Sequence, residues 1–246
     1  MKINIVSSDK RYVELNAILK RNGYDSELCD PQGITECDVL ILSLRDEYSL
    51  DDLKTVIKAQ GKNTVVFTGK KNIIEKIFDG KVVDYSGSEA FLSKNAYLTA
   101  EATIMLLYQI TESSLLDKKI LVCGYGRIGK RLCRLLSSLG AKVYAYARRN
   151  EVKKEIIENG YISAEISTSE KCDIVLNTVP SVIFSNEQIN KIPSSTYLFE
   201  LASMPGGFES KSRVYQGGGL PGKILPKGSA QLIFDTIVPF FQEKEE

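Results

Sequence analysis

The stretch that decides the fold is Ile120-Leu121-Val122-Cys123-Gly124-Tyr125-Gly126-Arg127-Ile128-Gly129. It places a Gly-x-Gly-x-x-Gly pattern directly after an apolar run, which is typical of a strand buried on both faces. Apolar residues then recur at helical spacing as far as Gly140, and a second strand is predicted from Lys142. The order strand, turn, helix, strand predicts an α/β protein with a parallel sheet.

The same context is what the dinucleotide-binding fingerprint requires. Gly124 permits a tight turn, Gly126 lets a pyrophosphate approach the backbone, and Gly129 lets the helix pack against the strand. Arg127 and Ile128 open that helix, where backbone N–H groups attract phosphate. We therefore expect a bound dinucleotide; the alternative is that the glycines only shape a turn.

The end of the second strand predicts which dinucleotide is bound. An NAD site usually places Asp or Glu there to bind the ribose hydroxyls. This chain has Arg148 and Arg149 instead, and guanidinium groups bind phosphate bidentately. The pattern favours NADP, with two solvated surface arginines as the alternative.

Three later loops are expected at the same sheet edge. Thr178, Val179 and Pro180 follow a fourth apolar strand, so they should border the nicotinamide. Residues 200–207 and 217–223 are rich in Gly and Pro, and each could also be an ordinary tight turn. Their convergence after a fingerprint favours a cofactor and substrate cleft.

Composition narrows the chemistry. The chain has 246 residues, 32 Lys and Arg against 31 Asp and Glu, and no histidine. The charge balance disfavours a partner that is a nucleic acid or a membrane surface. The missing imidazole excludes Ser-His-Asp triads, Cys-His nucleophiles and His-ligated zinc. The five cysteines form no Cys-x-x-Cys pair, so we expect free thiols, no metal site and a cytoplasmic location.

The alternation of strands and helices predicts two doubly wound parallel-sheet lobes that flank a cleft. We expect an N-terminal flavodoxin-like domain at residues 1–94, completed by a C-terminal helix at 229–246, in which residues 243–246 are a disordered tail. A bridging helix is predicted at 95–115 and a C-terminal Rossmann dinucleotide-binding domain at 116–228.

Beyond the fingerprint, a string of motifs resembles the A-subunit family of bacterial dipicolinate synthases. The segments are Asp9-Lys10-Arg11, Asn95-Ala96, Thr99-Ala100-Glu101, Asn177-Thr178-Val179-Pro180, Leu201-Ala202-Ser203-Met204-Pro205-Gly206-Gly207, Gly219-Leu220-Pro221-Gly222 and Pro226-Lys227. The run from Ala202 to Lys227 discriminates this family from other dehydrogenases that share the glycine fingerprint. Ala102 stands where the family usually has glycine. In addition, Ser210-Lys211-Ser212-Arg213 reaches Gly217-Gly218-Gly219 without the helix and full strand that normally separate the two motifs in the family, which predicts a trimmed sheet edge.

The resemblance implies oxidation of a dihydrodipicolinate-level intermediate to dipicolinate, in the mother cell of a sporulating bacterium. It implies three partners: a small dicarboxylate substrate, a flavoprotein-like B subunit, and further copies of the chain in a homo-oligomer. Hydride would pass to NADP⁺ and a proton to a base. The dicarboxylate substrate would need cationic or N–H donors.

The candidate residues follow from the motif positions. Lys227 and Glu101 are the predicted catalytic residues, with Lys227 a base if burial lowers its pKa. Ala202 is assigned to the cofactor. The predicted substrate contacts are Arg11, Asn95, Thr99, Ser203, the N–H groups of Gly206 and Gly207, Pro221 and Gly222.

Two rival functions stay open. One is another NADP-dependent oxidoreductase of the 2-hydroxyacid or alanine dehydrogenase plan, although such enzymes normally use a histidine as acid or base. The other is a non-catalytic protein in which NADP sets a conformation that a partner reads.

Overall fold

The computed structural model describes residues 1–44 and 47–242, which form two compact units. The first unit combines Met1–Asn95 with Pro221–Glu246, and the second is Ala96–Leu220. The predicted disordered tail, residues 243–246, lies outside the described residues.

The first unit is built on five parallel strands. These are β1 (Lys2–Val6), β2 (Asp25–Leu28), β3 (Val39–Leu42), β4 (Val65–Thr68) and β5 (Lys81–Asp84), with helices α1 (Lys10–Arg21), α2 (Leu50–Lys58) and α3 (Lys71–Ile74) between them. The strand order is β2-β1-β3-β4-β5. This is the flavodoxin-like order, so the predicted fold class is confirmed here.

Helix α4 (Glu89–Thr111) begins in the first unit and ends in the second. The predicted start at residue 95 is wrong by six residues. The hydroxyl of Ser88 accepts the N–H of Phe91 at 3.1 Å and acts as an N-cap. Phe91 is buried, so the first turn of the helix also packs against a core.

The second unit holds six parallel strands. Its elements are β6 (Lys119–Cys123), α5 (Arg127–Ser138), β7 (Lys142–Tyr146), α6 (Asn150–Glu158), β8 (Ile162–Ala164), β9 (Ile174–Asn177), α7 (Asn186–Lys191), β10 (Tyr197–Glu200) and β11 (Val214–Gln216). The strand order is β11-β10-β9-β6-β7-β8. This is the Rossmann order, with β6 and β9 side by side at the point where the strand order reverses.

The predicted trimmed edge is β11, which has only three residues and pairs parallel with β10. The N–H of Gly217 then donates to the carbonyl oxygen of Glu200 at 2.7 Å. The segment before Gly217 is too short for a helix and a full-length strand, and it forms a three-residue strand instead.

The C-terminal segment forms α8 (Leu220–Ile224), α9 (Pro226–Ile237) and α10 (Pro239–Gln242). Helix α9 packs against α1 of the first unit. Phe241 lies edge-on to Tyr24 and Phe67, with ring centroids 5.4 Å and 5.8 Å apart. The helix begins three residues before the predicted Ser229, because proline suits the first helical position.

All five cysteines are free thiols. Within the described ranges, no helix is both long and apolar enough to cross a bilayer.

Candidate functional site

The fingerprint turn has the geometry that a dinucleotide needs. Gly124 adopts a left-handed φ of 94°, which disfavours any residue with a Cβ. A Cβ on Gly129 would lie 2.0 Å from the carbonyl oxygen of Gly124, so that glycine allows α5 to approach β6. A Cβ on Gly126 would meet nothing within 4 Å. The space over Gly126 and the N-terminus of α5 therefore fit a pyrophosphate.

The first residue after β9 closes the turn from the other side. The hydroxyl and the N–H of Thr178 both donate to the carbonyl oxygen of Cys123, at 2.9 Å and 2.8 Å. Val179 is half-buried and Pro180 is exposed. The structure thus places the predicted residues 178–180 beside the glycine turn, at the reversal point of the strand order.

Arg148 and Arg149 follow β7 directly, and both are exposed. Strands β6 and β7 are in register at Cys123 and Tyr146, so both arginines follow the strand beside the turn. Neither pairs with a carboxylate in the part of the chain that the structure describes. Two guanidinium groups are therefore available for an anion.

Glu200 and Asn177 form a buried polar pair that has no local signal in the sequence. Both end their strands, β10 and β9, in register with each other. Asn177 Nδ2 donates to Glu200 Oε1 at 2.7 Å, and the N–H of Ala202 donates to the same oxygen at 3.0 Å. The pair ties the loop after β9 to the loop after β10.

Residues 201–207 form a loop in which the N–H groups of Gly206 and Gly207 bond to other atoms of the protein. The N–H of Gly207 donates to Glu200 Oε2 at 2.6 Å, and the N–H of Gly206 donates to the carbonyl oxygen of Ser203 at 3.0 Å. The prediction that these two N–H groups face a substrate disagrees with these bonds, because both donors are already bonded to oxygen atoms of Glu200 and Ser203. Ser203 is exposed.

The loop is fastened to the segment before α7. The carbonyl oxygen of Gly207 accepts the N–H groups of Ile183 and Phe184, each at 2.9 Å. The rings of Phe184 and Phe208 stack with centroids 4.7 Å apart, and both are buried. This contact holds the discriminating Pro-Gly-Gly segment against the core of the second unit.

In the first unit, Arg11 is held by Asp9. The guanidinium donates to both carboxylate oxygens, at 3.0 Å and 2.8 Å, and Arg11 is only 5% exposed. Burial lowers the pKa of Arg11, but the hydrogen bond to Asp9 and the charges of Tyr12, Asp9 and Tyr85 together outweigh it and raise that pKa overall. A Cβ on Gly222 would lie 2.6 Å from Arg11 Nε, so the predicted substrate residues Arg11 and Gly222 lie together.

Glu47 joins the ends of β1 and β3, and no motif in the sequence marks it. Its carboxylate accepts the hydroxyls of Ser7 and Ser43 and the N–H of Ser8, the last at 2.8 Å. An adjoining cavity of about 310 Å³ is lined by Ser8, Asp9, Lys10, Glu47, Gly222 and Lys223. The carboxyl ends of these two strands are where flavodoxin-like sheets bind ligands.

Residues 42–44, at the end of β3, form hydrogen bonds with two buried tyrosines. The N–H of Leu44 donates to Tyr12 Oη at 2.7 Å, Tyr12 and Tyr85 share a hydrogen bond of 2.6 Å, and Tyr85 Oη donates to the carbonyl of Leu42 at 3.2 Å. Burial raises the pKa of Tyr12 to about 12. The chain of bonds anchors residues 42–44 at the end of β3.

The remaining predicted residues are distributed over both units. Pro221 and Lys227 lie in the first unit, although their sequence positions predict them in the dinucleotide-binding region. Lys227 is exposed on the first turn of α9, so the burial that would make it a desolvated base is absent. Glu101 is half-buried on α4 in the second unit.

Asn95 and Thr99 lie one turn apart on α4. Asn95 is half-buried and Thr99 is buried. Asn95 belongs to the first unit and Thr99 to the second.

A larger cavity, of about 630 Å³, opens at the amino ends of β6, β9 and β10, beside Lys119, Asp173 and Tyr197. Parallel α/β sheets bind ligands at the carboxyl ends of their strands. We therefore place the candidate site at the glycine turn and not in this cavity.

Comparison with known proteins agrees with this geometry. Residues 96–202 match the family described as D-isomer specific 2-hydroxyacid dehydrogenase, NAD binding domain. The matched range contains the glycine turn, both arginines and the Asn177–Glu200 pair. Most of the second unit is therefore similar to an NAD-binding domain.

Among curated proteins, the chain is 32% identical over 159 residues to the A subunit of dipicolinate synthase from Bacillus subtilis. The match covers 61% of this chain and 54% of that relative, so the chain spans about half of the relative's length. The resemblance predicted from the motifs is thus confirmed.

Two solved structures share the fold of the chain. The dipicolinate synthase A subunit from Bacillus halodurans has a TM-score of 0.78 at 22% identity, covering 97% of both chains. The dipicolinate synthase A chain from Bacillus subtilis has a TM-score of 0.77 at 23% identity, covering 100% of this chain and 98% of that one. Both support the fold class of two parallel-sheet α/β lobes.

Proposed function

We propose that the chain is the pyridine-nucleotide-dependent A subunit of a dipicolinate synthase. It would oxidise a dihydrodipicolinate-level intermediate to dipicolinate. The observation that carries the proposal is the loop at residues 201–207, anchored on Glu200 at the same sheet edge as the glycine turn. That loop contains the Ala-Ser-Met-Pro-Gly-Gly run which discriminates the resemblance.

The reaction is a two-electron oxidation. When bound, the nicotinamide accepts the hydride from the dihydropyridine ring, and a base on the protein accepts one proton. Loss of both makes the ring aromatic, which favours the forward direction. The chain's part is to hold the dinucleotide at Gly126, to position the loops after β9 and β10, and to provide the base. The candidates for the base are Glu101, which is half-buried, and Lys227, which is exposed in this structure.

We propose NADP as the cofactor. Arg148 and Arg149 stand where an NAD site usually has a carboxylate, and both are exposed. A guanidinium stays charged at all working pH values and binds a 2′-phosphate bidentately. The charge of the two arginines and their position at the end of β7 are what favour NADP.

The first unit has a cavity suited to carboxylates. Lys10 and Lys223 line it together with the hydroxyl-bearing Ser8. The lining also contains two carboxylates. Asp9 pairs with Arg11, and Glu47 accepts hydrogen bonds from Ser7, Ser8 and Ser43, which leaves the two lysines as cations for a dicarboxylate. We propose that Lys10 or Lys223 contacts a substrate carboxylate.

The curated relative is named as one of the subunits of its synthase, which supports a second polypeptide as partner. We propose that this partner is a flavoprotein-like B subunit. A homo-oligomer of the chain is part of the same proposal.

A steady-state assay tests the function. The dihydrodipicolinate-level intermediate is supplied with NADP⁺ or NAD⁺, with and without a candidate B subunit, and reduced nucleotide and dipicolinate are both measured. We expect equal amounts of the two products. Nucleotide binding without turnover in either arm would contradict the enzymatic proposal, and turnover of a 2-hydroxy acid instead would favour the rival dehydrogenase.

A further inference from the structure

The carboxylate of Glu200 lies buried at the end of β10, with 3% of the residue exposed. We propose that Glu200, acting through Asn177, is the positioning residue for the nicotinamide end of the site. This inference rests on the proposed function, since it assigns a role to one part of the same dinucleotide site.

The Glu200 carboxylate accepts three hydrogen bonds, one from Asn177 at the end of β9 and two from the loop after β10. Asn177 Nδ2 and the N–H of Ala202 donate to Oε1, and the N–H of Gly207 donates to Oε2. Within the described residues, no lysine or arginine pairs with Glu200. A buried carboxylate is costly unless its oxygens are satisfied, so these N–H groups are what hold it there.

The side chain of Asn177 also holds the loop after β9 in place. Its Nδ2 donates to the carbonyl oxygen of Val179 at 2.9 Å, and its Oδ1 accepts the N–H of Val179 at 3.1 Å. The side-chain amide thus closes a turn that sets the course of residues 177–179. Because the same amide contacts Glu200, the two loops are fixed relative to each other.

The glycines of the second loop are needed because the chain closes over this pair. A Cβ on Gly206 would lie 2.5 Å from Glu200 Oε2, and a Cβ on Gly207 would lie 2.4 Å from Asn177 Nδ2. Gly206 also has a φ of 82°. The Pro-Gly-Gly segment is therefore shaped to cover a carboxylate–amide pair, and not to donate to a ligand.

This arrangement predicts that the two ends of the dinucleotide depend on different residues. The adenosine end should depend on the glycine turn and the two arginines. The nicotinamide end should depend on residues 178–180, which Glu200 positions without touching the cofactor. Glu200→Gln keeps the size of the side chain but replaces one carboxylate oxygen by an NH₂ group. One bond is lost if the NH₂ group takes the place of Oε2, and two are lost if it takes the place of Oε1.

Binding of matched nucleotides tests the inference. Titration calorimetry compares NADPH with 2′-phospho-ADP-ribose, which lacks the nicotinamide, and NADH with ADP-ribose. We expect Glu200→Gln to weaken NADPH binding about tenfold and to leave the affinity for 2′-phospho-ADP-ribose unchanged. Arg148→Ala is the matched control and should weaken both NADP-type ligands equally.

Asn177→Asp is the second variant. It retains the acceptor for Val179 but replaces the donor to Glu200 by a second carboxylate, so it should show the same selective loss. Thermal unfolding of each variant reports its stability. Equal loss of both ligands, or unchanged NADPH binding, in the two variants would overturn the positioning role. A wild-type protein that binds none of the four nucleotides would instead overturn the proposed function, and this inference with it.

Discussion

The backbone N–H of Gly124 donates to the carbonyl oxygen of Tyr146 at 2.9 Å. This bond holds the glycine turn against the end of β7, two residues before Arg148. The sites expected for the pyrophosphate and for a ribose 2′-phosphate are therefore linked through one backbone contact. Mutations of the arginines should change selectivity for the cofactor, whereas mutations of the glycines should change the turn itself.

Replacing both Arg148 and Arg149 by alanine should remove the preference for NADP⁺ over NAD⁺. Loss of one charge-assisted phosphate contact costs about 2 kcal/mol, or about 30-fold in affinity. Calorimetry with the two nucleotides measures the change, and NAD⁺ affinity should stay constant. Arg134→Ala removes another exposed arginine of the second unit and should have no effect. An unchanged preference in the double variant would exclude both arginines.

Gly126→Ala and Gly129→Ala should behave differently. A methyl group at Gly126 meets open space, so stability should fall by less than about 1 kcal/mol while dinucleotide binding is lost. A methyl group at Gly129 overlaps the Gly124 carbonyl oxygen and should destabilise the protein by about 2 kcal/mol. Denaturant unfolding and nucleotide titration measure the two effects. Nucleotide binding by Gly126→Ala at wild-type affinity would contradict the assigned pyrophosphate position.

The two lysines of the C-terminal segment should have separable effects. Lys223 lines the cavity of the first unit, so Lys223→Met should raise KM for the dicarboxylate about tenfold by removing a cation. Lys227→Met should lower kcat at least about tenfold if Lys227 transfers the proton. NADP⁺ affinity should not change in either variant. Wild-type turnover by Lys227→Met would remove this residue from the site and leave Glu101 as the candidate.

Stability should fall at alkaline pH because of buried thiols. Burial raises the pKa of Cys133 from 9.0 to about 12. The unfolded chain therefore releases this proton from about pH 9, whereas the folded protein keeps it. The stability that the protonated thiol contributes is complete below pH 9 and is lost as the pH rises towards 12.

Cys133→Ala checks this effect, because it removes the titrating group. Denaturant unfolding under reducing conditions gives the difference in stability between variant and wild type. That difference should shrink by about 2 kcal/mol between pH 7 and pH 10.5, since each pH unit is worth about 1.4 kcal/mol. A constant difference would show that the folded and unfolded thiols titrate alike.

The strands that can be predicted from sequence are the ones inside the sheets. Strands β3, β4 and β9 are buried along their whole length and read as continuous apolar runs. Strands β2, β5, β8 and β11 are not predicted by such runs, and all four are sheet edges. Each edge strand buries a single residue, so its sequence has neither an apolar run nor a clear alternation.

The start of a helix, like an edge strand, is not always predictable from local sequence. The absence of Gly and Pro after Asn95 and the spacing of the apolar residues predict a bridging helix from residue 95, whereas α4 begins at Glu89. Its N-cap, Ser88, is a common residue type in loops, so it gives no distinct signal unless the buried Phe91 is known to belong to the helix. Local propensity alone does not show which of two nearby starts is used.

The sequence by itself determined the glycine turn, the interior strands of both sheets and the resemblance to the A subunits of dipicolinate synthases, because local spacing and apolar periodicity carry that information. Only the tertiary structure decided which polar side chains meet. Asn177 and Glu200 are 23 residues apart, and Ser7 and Glu47 are 40 apart. The first pair forms because β9 and β10 end in register at one sheet edge, and the second forms because Glu47, five residues beyond the end of β3, contacts the residue that follows β1. A single polar residue has no periodic pattern from which its partner could be predicted.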